Sequence, residues 1–188
     1  MTTQHRGVAA LSSALVLTLL LAGCAGSGAG QPEYGVVPWP DSGTQAEPRP
    51  GQRAPNFRLE SLSGAPVTLA EFLGRPVLLN FFASWCANCR EEMAVLDTAS
   101  QQNVVVIGVN LRESNEAVSR LATETGASFP LLLDRQGTVT RAYRVSNLPA
   151  TFAIDASGTV RDVVLGPVDA ERLAALIHAA SSVQGGIG

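Results

Sequence analysis

The sequence predicts an α/β domain in which a central mixed β-sheet is flanked by helices. From residue 77 to residue 133, continuous apolar runs typical of buried strands alternate with segments whose apolar residues recur at helical spacing. Nearer the end of the chain, two more strands are separated only by the turn Asp155-Ala156-Ser157-Gly158, which indicates an antiparallel hairpin. Because alternation of strands and helices favours parallel pairing, the two patterns together predict a mixed sheet.

The first predicted elements add an N-terminal β-hairpin extension to that sheet. Two short strands at 57–60 and 66–69, with Ser63-Gly64 between them, are typical of a hairpin. Residues 70–73 are predicted as one helical turn. The run from Val77 to Ala83 (VLLNFFA) is almost entirely apolar, as expected of a strand that is buried on both faces.

A helix is predicted from Cys86 to about Ser100, because Cys89, Met93 and Leu96 share one helical face. The remaining elements follow from the same two periods. They are a strand at 103–110, a helix at 114–125, a strand at 131–133, a helical turn at 138–144, strands at 150–154 and 160–165, and a helix to about residue 180 that Asp169 caps.

Residues 1–23 have the layout of a secretory signal. The apolar stretch from Val8 to Ala22 has 15 residues, which is short for a bilayer span of about 20. It ends in Leu21-Ala22-Gly23-Cys24, which resembles the bacterial lipobox, where lipid is attached to the cysteine. We therefore expect a lipoprotein signal peptide, lipidation of Cys24, and an extracytoplasmic protein that is lipid-anchored to the bacterial cell membrane. The alternative is an uncleaved anchor helix with a coincidental cysteine.

Three further segments complete the predicted organisation. Residues 24–50 are rich in Gly, Ser and Pro without a sustained period, which predicts a flexible, lipid-anchored tether. The folded domain is predicted over 51–182, and residues 183–188 are predicted as a disordered tail. The formal net charge is −3, and the chain has no cluster of positive charge that would indicate binding to nucleic acid.

Cys86 and Cys89 form a C-x-x-C motif at the junction between a buried strand and a helix. Backbone N–H groups and the macrodipole at a helix N-terminus favour negative charge, which lowers the pKa of a cysteine placed there. Cys86 is therefore the predicted nucleophile. Cys89, within disulfide reach, is the predicted thiol that resolves the mixed disulfide. This redox-active pair needs no other cofactor.

Two other roles compete for the cysteine pair. A zinc site needs two more ligands, but Cys24 is consumed by lipid, His5 is removed with the signal, and His178 lies on a distant helix; no metal is predicted. A purely structural disulfide is possible in an oxidising compartment. A bridge that closes so small a loop, however, contributes little chain entropy.

From about residue 51 to residue 182 the chain resembles the membrane-anchored, thioredoxin-like proteins of the TlpA/ResA/DsbE group. The resemblance is carried by residues 51–57 (GQRAPNF), 80–92 (NFFASWCANCREE) and 147–155 (NLPATFAID). It implies a thioredoxin-like fold and the activity of a thiol–disulfide oxidoreductase.

The resemblance also implies roles for residues around the cysteines. In that family a cis-proline faces the disulfide, which would be Pro149, and Leu148 before it would offer its backbone to an extended substrate; the alternative is a trans turn proline. Trp85 would flank the nucleophile, or else simply pack. Glu92 matches a family glutamate and shares a helical face with Cys89. We expect Glu92 to move protons for Cys89, with a pKa raised by burial; the alternative is a glutamate favoured by the helix dipole.

The sequence departs from cytosolic thioredoxin at Asn80 and at the pair Ala87-Asn88. Asn80 stands where thioredoxins carry a buried aspartate, and asparagine cannot take a proton. Ala87-Asn88 stands between the cysteines in place of the Gly-Pro of thioredoxin and of the Glu-Pro common in the group. The redox potential is therefore left open.

The functional expectation follows from the resemblance. It implies a reductant of protein disulfides of the cytochrome c maturation type, acting on apocytochrome c and kept reduced by a membrane thiol transporter of the CcdA/DsbD type. We expect the protein to be a monomer. One alternative is an oxidant that introduces disulfides into secreted proteins. Another is a non-catalytic lipoprotein that binds haem or apocytochrome. A peroxiredoxin-type peroxidase is disfavoured, because it would need threonine where Ala83 or Cys86 stands.

Overall fold

The structure, a computed structural model, describes residues 1–2, 33–41 and 47–182. Most of the predicted signal peptide, the predicted lipidation site Cys24 and the predicted tail at 183–188 therefore lie outside the described residues. Within the described ranges, no helix has both the length and the apolar character needed to cross a bilayer.

The elements of the folded unit alternate between strands and helices. In chain order they are β1 (Gly35–Val36), β2 (Phe57–Ser61), β3 (Pro66–Thr68), a 3₁₀ turn (Leu69–Phe72), β4 (Val77–Phe82), α1 (Ala87–Ser100), β5 (Val105–Leu111), α2 (Asn115–Thr125), β6 (Leu131–Asp134), α3 (Thr138–Ala142), β7 (Ala150–Ile154), β8 (Val160–Leu165) and α4 (Ala170–Ser181).

All of these strands belong to one mixed sheet, in the order β1-β2-β6-β5-β4-β7-β8, with β3 paired to β2. Strands β4, β5 and β6 are parallel, whereas β2 with β6, β4 with β7, and β7 with β8 are antiparallel. The predicted mixed sheet and N-terminal hairpin are confirmed. Predicted element bounds differ from the observed ones by at most two residues: β7 and β8 match, whereas β5 begins at Val105 rather than at Asn103.

Strand β4 shows why the sheet is covered on both faces. Leu78 and Phe82 point into one apolar layer, which contains α1, α2 and α4. Leu79 and Phe81 point into the other, where Phe81 packs against the ring of Tyr143 at 5.0 Å between centroids. Because successive side chains of a strand face opposite ways, a continuous apolar run is needed to fill both layers.

The predicted tether has to be corrected over part of its length, because residues 33–41 are part of the folded unit. Gly35 and Val36 pair antiparallel with β2. Trp39 is only 2% exposed, and its indole N–H donates to the carbonyl of Ala54 at 3.0 Å. The guanidinium of Arg53 lies 4.0 Å from the centre of the indole ring. The domain therefore begins before residue 51, and residues 42–46 of the predicted tether lie outside the described residues.

A glycine makes room for this packing. Gly158, in the turn between β7 and β8, has a positive φ of 83°, and a Cβ there would lie 2.9 Å from the Trp39 ring. The turn and the buried indole thus both require glycine at this position.

Candidate active site

The predicted cysteine pair lies where β4 gives way to α1. Cys86 is the residue that caps the N-terminus of α1, and its Sγ accepts a hydrogen bond from the Cys89 N–H at 3.2 Å. The two sulfurs are bonded to each other. Cys86 is 8% exposed and Cys89 is fully buried, so an incoming sulfur reaches Cys86 first. This difference in exposure favours Cys86 as the nucleophile and Cys89 as the resolving thiol, and both roles stay predictions.

Pro149 lies at the same edge of the sheet, just before β7. The register pairs Phe81 of β4 with Ala150 of β7, which places Pro149 opposite Phe82, the last residue of β4 before the turn to Cys86. The Leu148–Pro149 peptide bond is cis, as the resemblance implied. The carbonyl of Pro149 accepts from the Gly166 N–H at 2.9 Å. Contact of Leu148 and Pro149 with a substrate stays a prediction.

Trp85 stands immediately before the nucleophile and is 71% exposed. A ring so open to solvent is not a core residue, so the alternative of plain packing does not describe it. Large exposed aromatic side chains are available for contact with a partner, and substrate binding by Trp85 remains the prediction.

Glu92 is the buried carboxylate of the site. It is 2% exposed, and it lies one helical turn after Cys89 on α1. Burial raises its pKa from 4.5 to about 7, although hydrogen bonds from the Val168 N–H and the Asn80 side chain oppose that rise. Glu91, by contrast, is exposed. A carboxyl group with a pKa near neutrality can both accept and release a proton at physiological pH.

Asn80 holds that carboxylate in place from the neighbouring strand. Its Nδ2 donates to Glu92 Oε1 at 2.8 Å and to Thr151 Oγ1 at 3.0 Å. Its Oδ1 is buried, and no donor among the described residues lies within hydrogen-bond distance of it. Glu92 Oε2 accepts from the backbone N–H of Val168 at 3.0 Å. Helix α1, strand β4 and the loop between β8 and α4 therefore meet at one carboxylate.

Sequence reasoning missed Thr151 and Val168 as partners in this arrangement. Thr151 lies beside the cis-proline within an otherwise apolar strand, and that polar residue among apolar ones was an available signal. Val168 contributes only a backbone N–H, so its side chain carries no signal.

Within residues 33–41 and 47–182, no group of three or more His, Cys, Asp or Glu side chains is placed to hold a metal ion. The chemistry that these residues themselves offer at the site is that of the thiols and the carboxyl group.

Comparison with known proteins agrees with this geometry. The model of the AhpC/TSA family matches residues 50–163. The thiol-disulfide oxidoreductase ResA of Geobacillus kaustophilus is 36% identical over 125 residues, which cover 64% of this chain and 72% of that protein. The protein of the same name from Bacillus subtilis is 38% identical over 120 residues, covering 62% of this chain and 67% of that one.

Solved structures similar to this chain are also named for thiol–disulfide chemistry. A thiol:disulfide interchange protein DsbE of Chlorobium tepidum superposes with a TM-score of 0.65 at 30% identity, covering 70% of this chain and 97% of that one. A secreted disulfide oxidoreductase of Mycobacterium tuberculosis, described as homologous to DsbE of E. coli, has a TM-score of 0.61 at 26% identity, covering 65% and 95%. With a buried cysteine pair, a cis-proline and this likeness in sequence and fold, the chain belongs to the AhpC/TSA family, in which it is a thiol–disulfide oxidoreductase of the ResA and DsbE type.

Proposed function

We propose that this protein reduces protein disulfides outside the cytoplasm, in the manner of a cytochrome c maturation reductant. The observation that carries the direction of electron flow is the buried carboxyl group of Glu92 on the Cys89 face of α1. A strongly oxidising protein of this class is one whose reduced, thiolate form is stabilised. Wherever Glu92 is ionised, its charge opposes a thiolate at Cys89, which disfavours such stabilisation and favours a low reduction potential.

The reaction begins with the reduced pair. The Cys86 thiolate attacks one sulfur of the substrate disulfide; a bond forms between Cys86 and that sulfur, and the other substrate sulfur leaves as a thiolate. Cys89 then attacks Cys86 Sγ and releases the second substrate thiolate. The substrate has gained two electrons, and the protein is left with the Cys86–Cys89 disulfide seen in the structure.

Glu92 serves the second step. Cys89 is fully buried and must lose a proton before it can attack. Ionised Glu92, with a pKa of about 7, takes that proton near neutral pH and returns it when the pair is reduced again. In this way a carboxyl group does the proton transfer that Asn80 cannot do.

The location and partners belong to the same proposal. The apolar stretch from Val8 to Ala22 and the lipobox-like sequence at Cys24 support an extracytoplasmic protein anchored by lipid. Outside the cytoplasm the pair must be re-reduced across the membrane, for which a thiol transporter of the CcdA/DsbD type is the proposed electron donor. Apocytochrome c, whose haem-attachment motif is C-x-x-C-H, is the proposed substrate.

The reduction potential of the Cys86–Cys89 pair tests the direction of electron flow. We expect a value near or below about −250 mV, close to that of thioredoxin, and a value near about −120 mV would make the protein an oxidant instead. The functional assay is reduction of a synthetic peptide that carries an oxidised C-x-x-C-H motif. Cys86→Ala should abolish reduction, and Cys89→Ala should accumulate the mixed disulfide. If Cys86→Ala binds that peptide as well as the unchanged chain, and the unchanged chain does not reduce it, the protein is a binding lipoprotein.

A further inference from the structure

Glu113 is a half-buried carboxylate that the preceding mechanism does not use. It lies two residues after the end of β5. Its Oε2 accepts from the Ser84 N–H at 2.7 Å and from Asn110 Nδ2 at 2.6 Å, and its Oε1 accepts from the Ser84 hydroxyl at 2.5 Å. Its own N–H donates to Asn110 Oδ1 at 3.2 Å. Both carboxylate oxygens are thus occupied by donors from two different parts of the chain.

The two parts that Glu113 joins are the end of β5 and the turn before the nucleophile. Asn110 is fully buried and pairs in register with Phe82, the last residue of β4. Ser84 lies two residues beyond Phe82 and two residues before Cys86. The carboxylate therefore ties the 83–86 turn to a rigid, buried position on the neighbouring strand.

The two ends of that turn are packed in the core, where Ala83 is fully buried and Cys86 is 8% exposed, but its middle is not. Trp85, its largest side chain, is 71% exposed. Within the turn, the Cys86 N–H donates to the Ala83 carbonyl at 3.2 Å. Charge-assisted hydrogen bonds are about twice as strong as neutral ones, so the two bonds from Ser84 to Glu113 give the exposed middle of the turn its firmest attachment.

We propose that Glu113 is a positioning residue for thiol–disulfide exchange: its carboxylate fixes the 83–86 turn so that Cys86 Sγ stays at the N-terminus of α1. There Sγ accepts from the Cys89 N–H at 3.2 Å and benefits from the helix dipole. The requirement is the same whichever way the electrons run, so this inference does not depend on the proposed reductant role.

Removing the Glu113 carboxylate changes the pKa of the Cys86 thiol in opposite directions depending on how the carboxylate acts, which makes the proposal testable. If the carboxylate acts by position, its loss lets Sγ leave the helix N-terminus, and the pKa of the Cys86 thiol rises. If it acts only as a negative charge near the thiol, its loss lowers that pKa. The sign of the change therefore separates positioning from bulk charge.

The experiment measures the pH dependence of Cys86 alkylation by iodoacetamide in the reduced full chain. We expect Glu113→Ala to raise the midpoint by about half a unit to one unit and to slow alkylation at pH 7 about three- to tenfold, as for a thiolate that leaves a helix N-terminus. Glu113→Gln keeps an oxygen for the Ser84 and Asn110 donors and should restore a midpoint at or below that of the unchanged chain. Reduction of a peptide disulfide should follow the same order.

The matched control is Glu116→Gln, a fully exposed glutamate in the first turn of α2, which should leave the midpoint unchanged. Ser84→Ala removes only the hydroxyl bond and should shift the midpoint upward by less, which keeps the test available if Glu113→Ala does not fold. A midpoint that falls or stays fixed in Glu113→Ala overturns the proposal, as does a Glu113→Gln midpoint raised as far as that of Glu113→Ala. Should Glu113→Ala not fold, an unshifted Ser84→Ala overturns it.

Discussion

At the scale of single residues, the burial of Glu92 lowers the free energy of unfolding as the pH rises. The folded state holds the pKa of this carboxyl at about 7 instead of 4.5, so it prefers the protonated form. Below pH 4.5 the group is protonated in both the folded and the unfolded chain, and no stability is lost. As the pH rises from there through 7, the unfolded chain releases the proton more easily and the folded state loses stability.

Replacing Glu92 with glutamine should remove this pH dependence. The shift from 4.5 to about 7 corresponds to about 3 kcal/mol. We expect the free energy of unfolding of Glu92→Gln to exceed that of the unchanged chain by a margin that grows by about 3 kcal/mol between pH 4 and pH 8. Urea unfolding at several pH values measures it. Thiol exchange should become slower at the same time, because the amide of a glutamine side chain cannot take a proton from Cys89.

Asn80 makes the substitution structurally tolerable. None of the described residues donates to its buried Oδ1, so the amide can rotate and let Oδ1 accept from the new glutamine side chain. The control is Glu91→Gln on the exposed face of the same helix, which should change stability little at any pH. A margin between Glu92→Gln and the unchanged chain that is constant with pH would mean that Glu92 is not the titrating group.

Spacing along the chain explains which site residues the sequence could predict. Cys86, Cys89 and Glu92 lie at the start of one helix, so a helical period brings them together before any tertiary structure is known. Glu113 reaches Ser84 across 29 residues, and Val168 reaches Glu92 across 76. Such contacts depend on strand order, which local periodicity does not contain.

At the scale of elements, β1 and Trp39 show the same limit. A two-residue strand in a stretch rich in Gly and Pro has no period, so the sequence predicted a tether there. Its structure comes from partners elsewhere: β2 for the strand, and Ala54, Arg53 and Gly158 for the indole. The longer elements were predicted well because each buries an apolar face with a clear period.

A chain that starts at residue 51 should be less stable than one that starts at residue 33. The shorter chain loses Trp39, which is 2% exposed, and uncovers part of the layer that contains Phe57. We expect a loss of at least about 3 kcal/mol in the free energy of unfolding, the size typical of removing a buried Trp side chain.

Urea unfolding of the 33–182 and 51–182 chains measures the difference. Trp39→Ala in the longer chain is the matched variant, and it should account for most of the loss. Equal unfolding midpoints and slopes for the two chains would show that residues 33–41 contribute nothing to the folded domain.

At the scale of the whole molecule, the oxidoreductase activity of the domain and its proposed extracytoplasmic location are supported by different parts of the chain. The domain rests on the fold, the cysteine pair and the similarity to ResA and DsbE proteins. The proposed location is supported by residues 1–24, where an apolar run leads into a lipobox-like sequence that ends at Cys24. The periodic patterns that predicted the domain carry no information about cellular location, so the location needs a separate experiment.

Cys24→Ser tests the proposed anchor. In a bacterial host we expect the unchanged chain in the membrane fraction, with Cys24 as its first residue and a mass increased by lipid. Cys24→Ser should carry no lipid, and Cys86→Ala should be lipidated like the unchanged chain. Mass spectrometry of the membrane fraction decides. An unlipidated wild-type chain in the cytoplasmic fraction would remove the basis for an extracytoplasmic role.

If Cys24 carries the proposed lipid, the docking of residues 33–41 on the domain limits the distance between the active site and the membrane. A free tether from Cys24 to residue 51 would extend to about 90 Å, whereas the nine residue steps from Cys24 to Glu33 extend to about 30 Å. With lipid at Cys24, the domain would be confined to a layer of roughly its own diameter above the bilayer. Electron donors would have to present their cysteines at the membrane surface, and substrates would have to be reduced there rather than in the surrounding space.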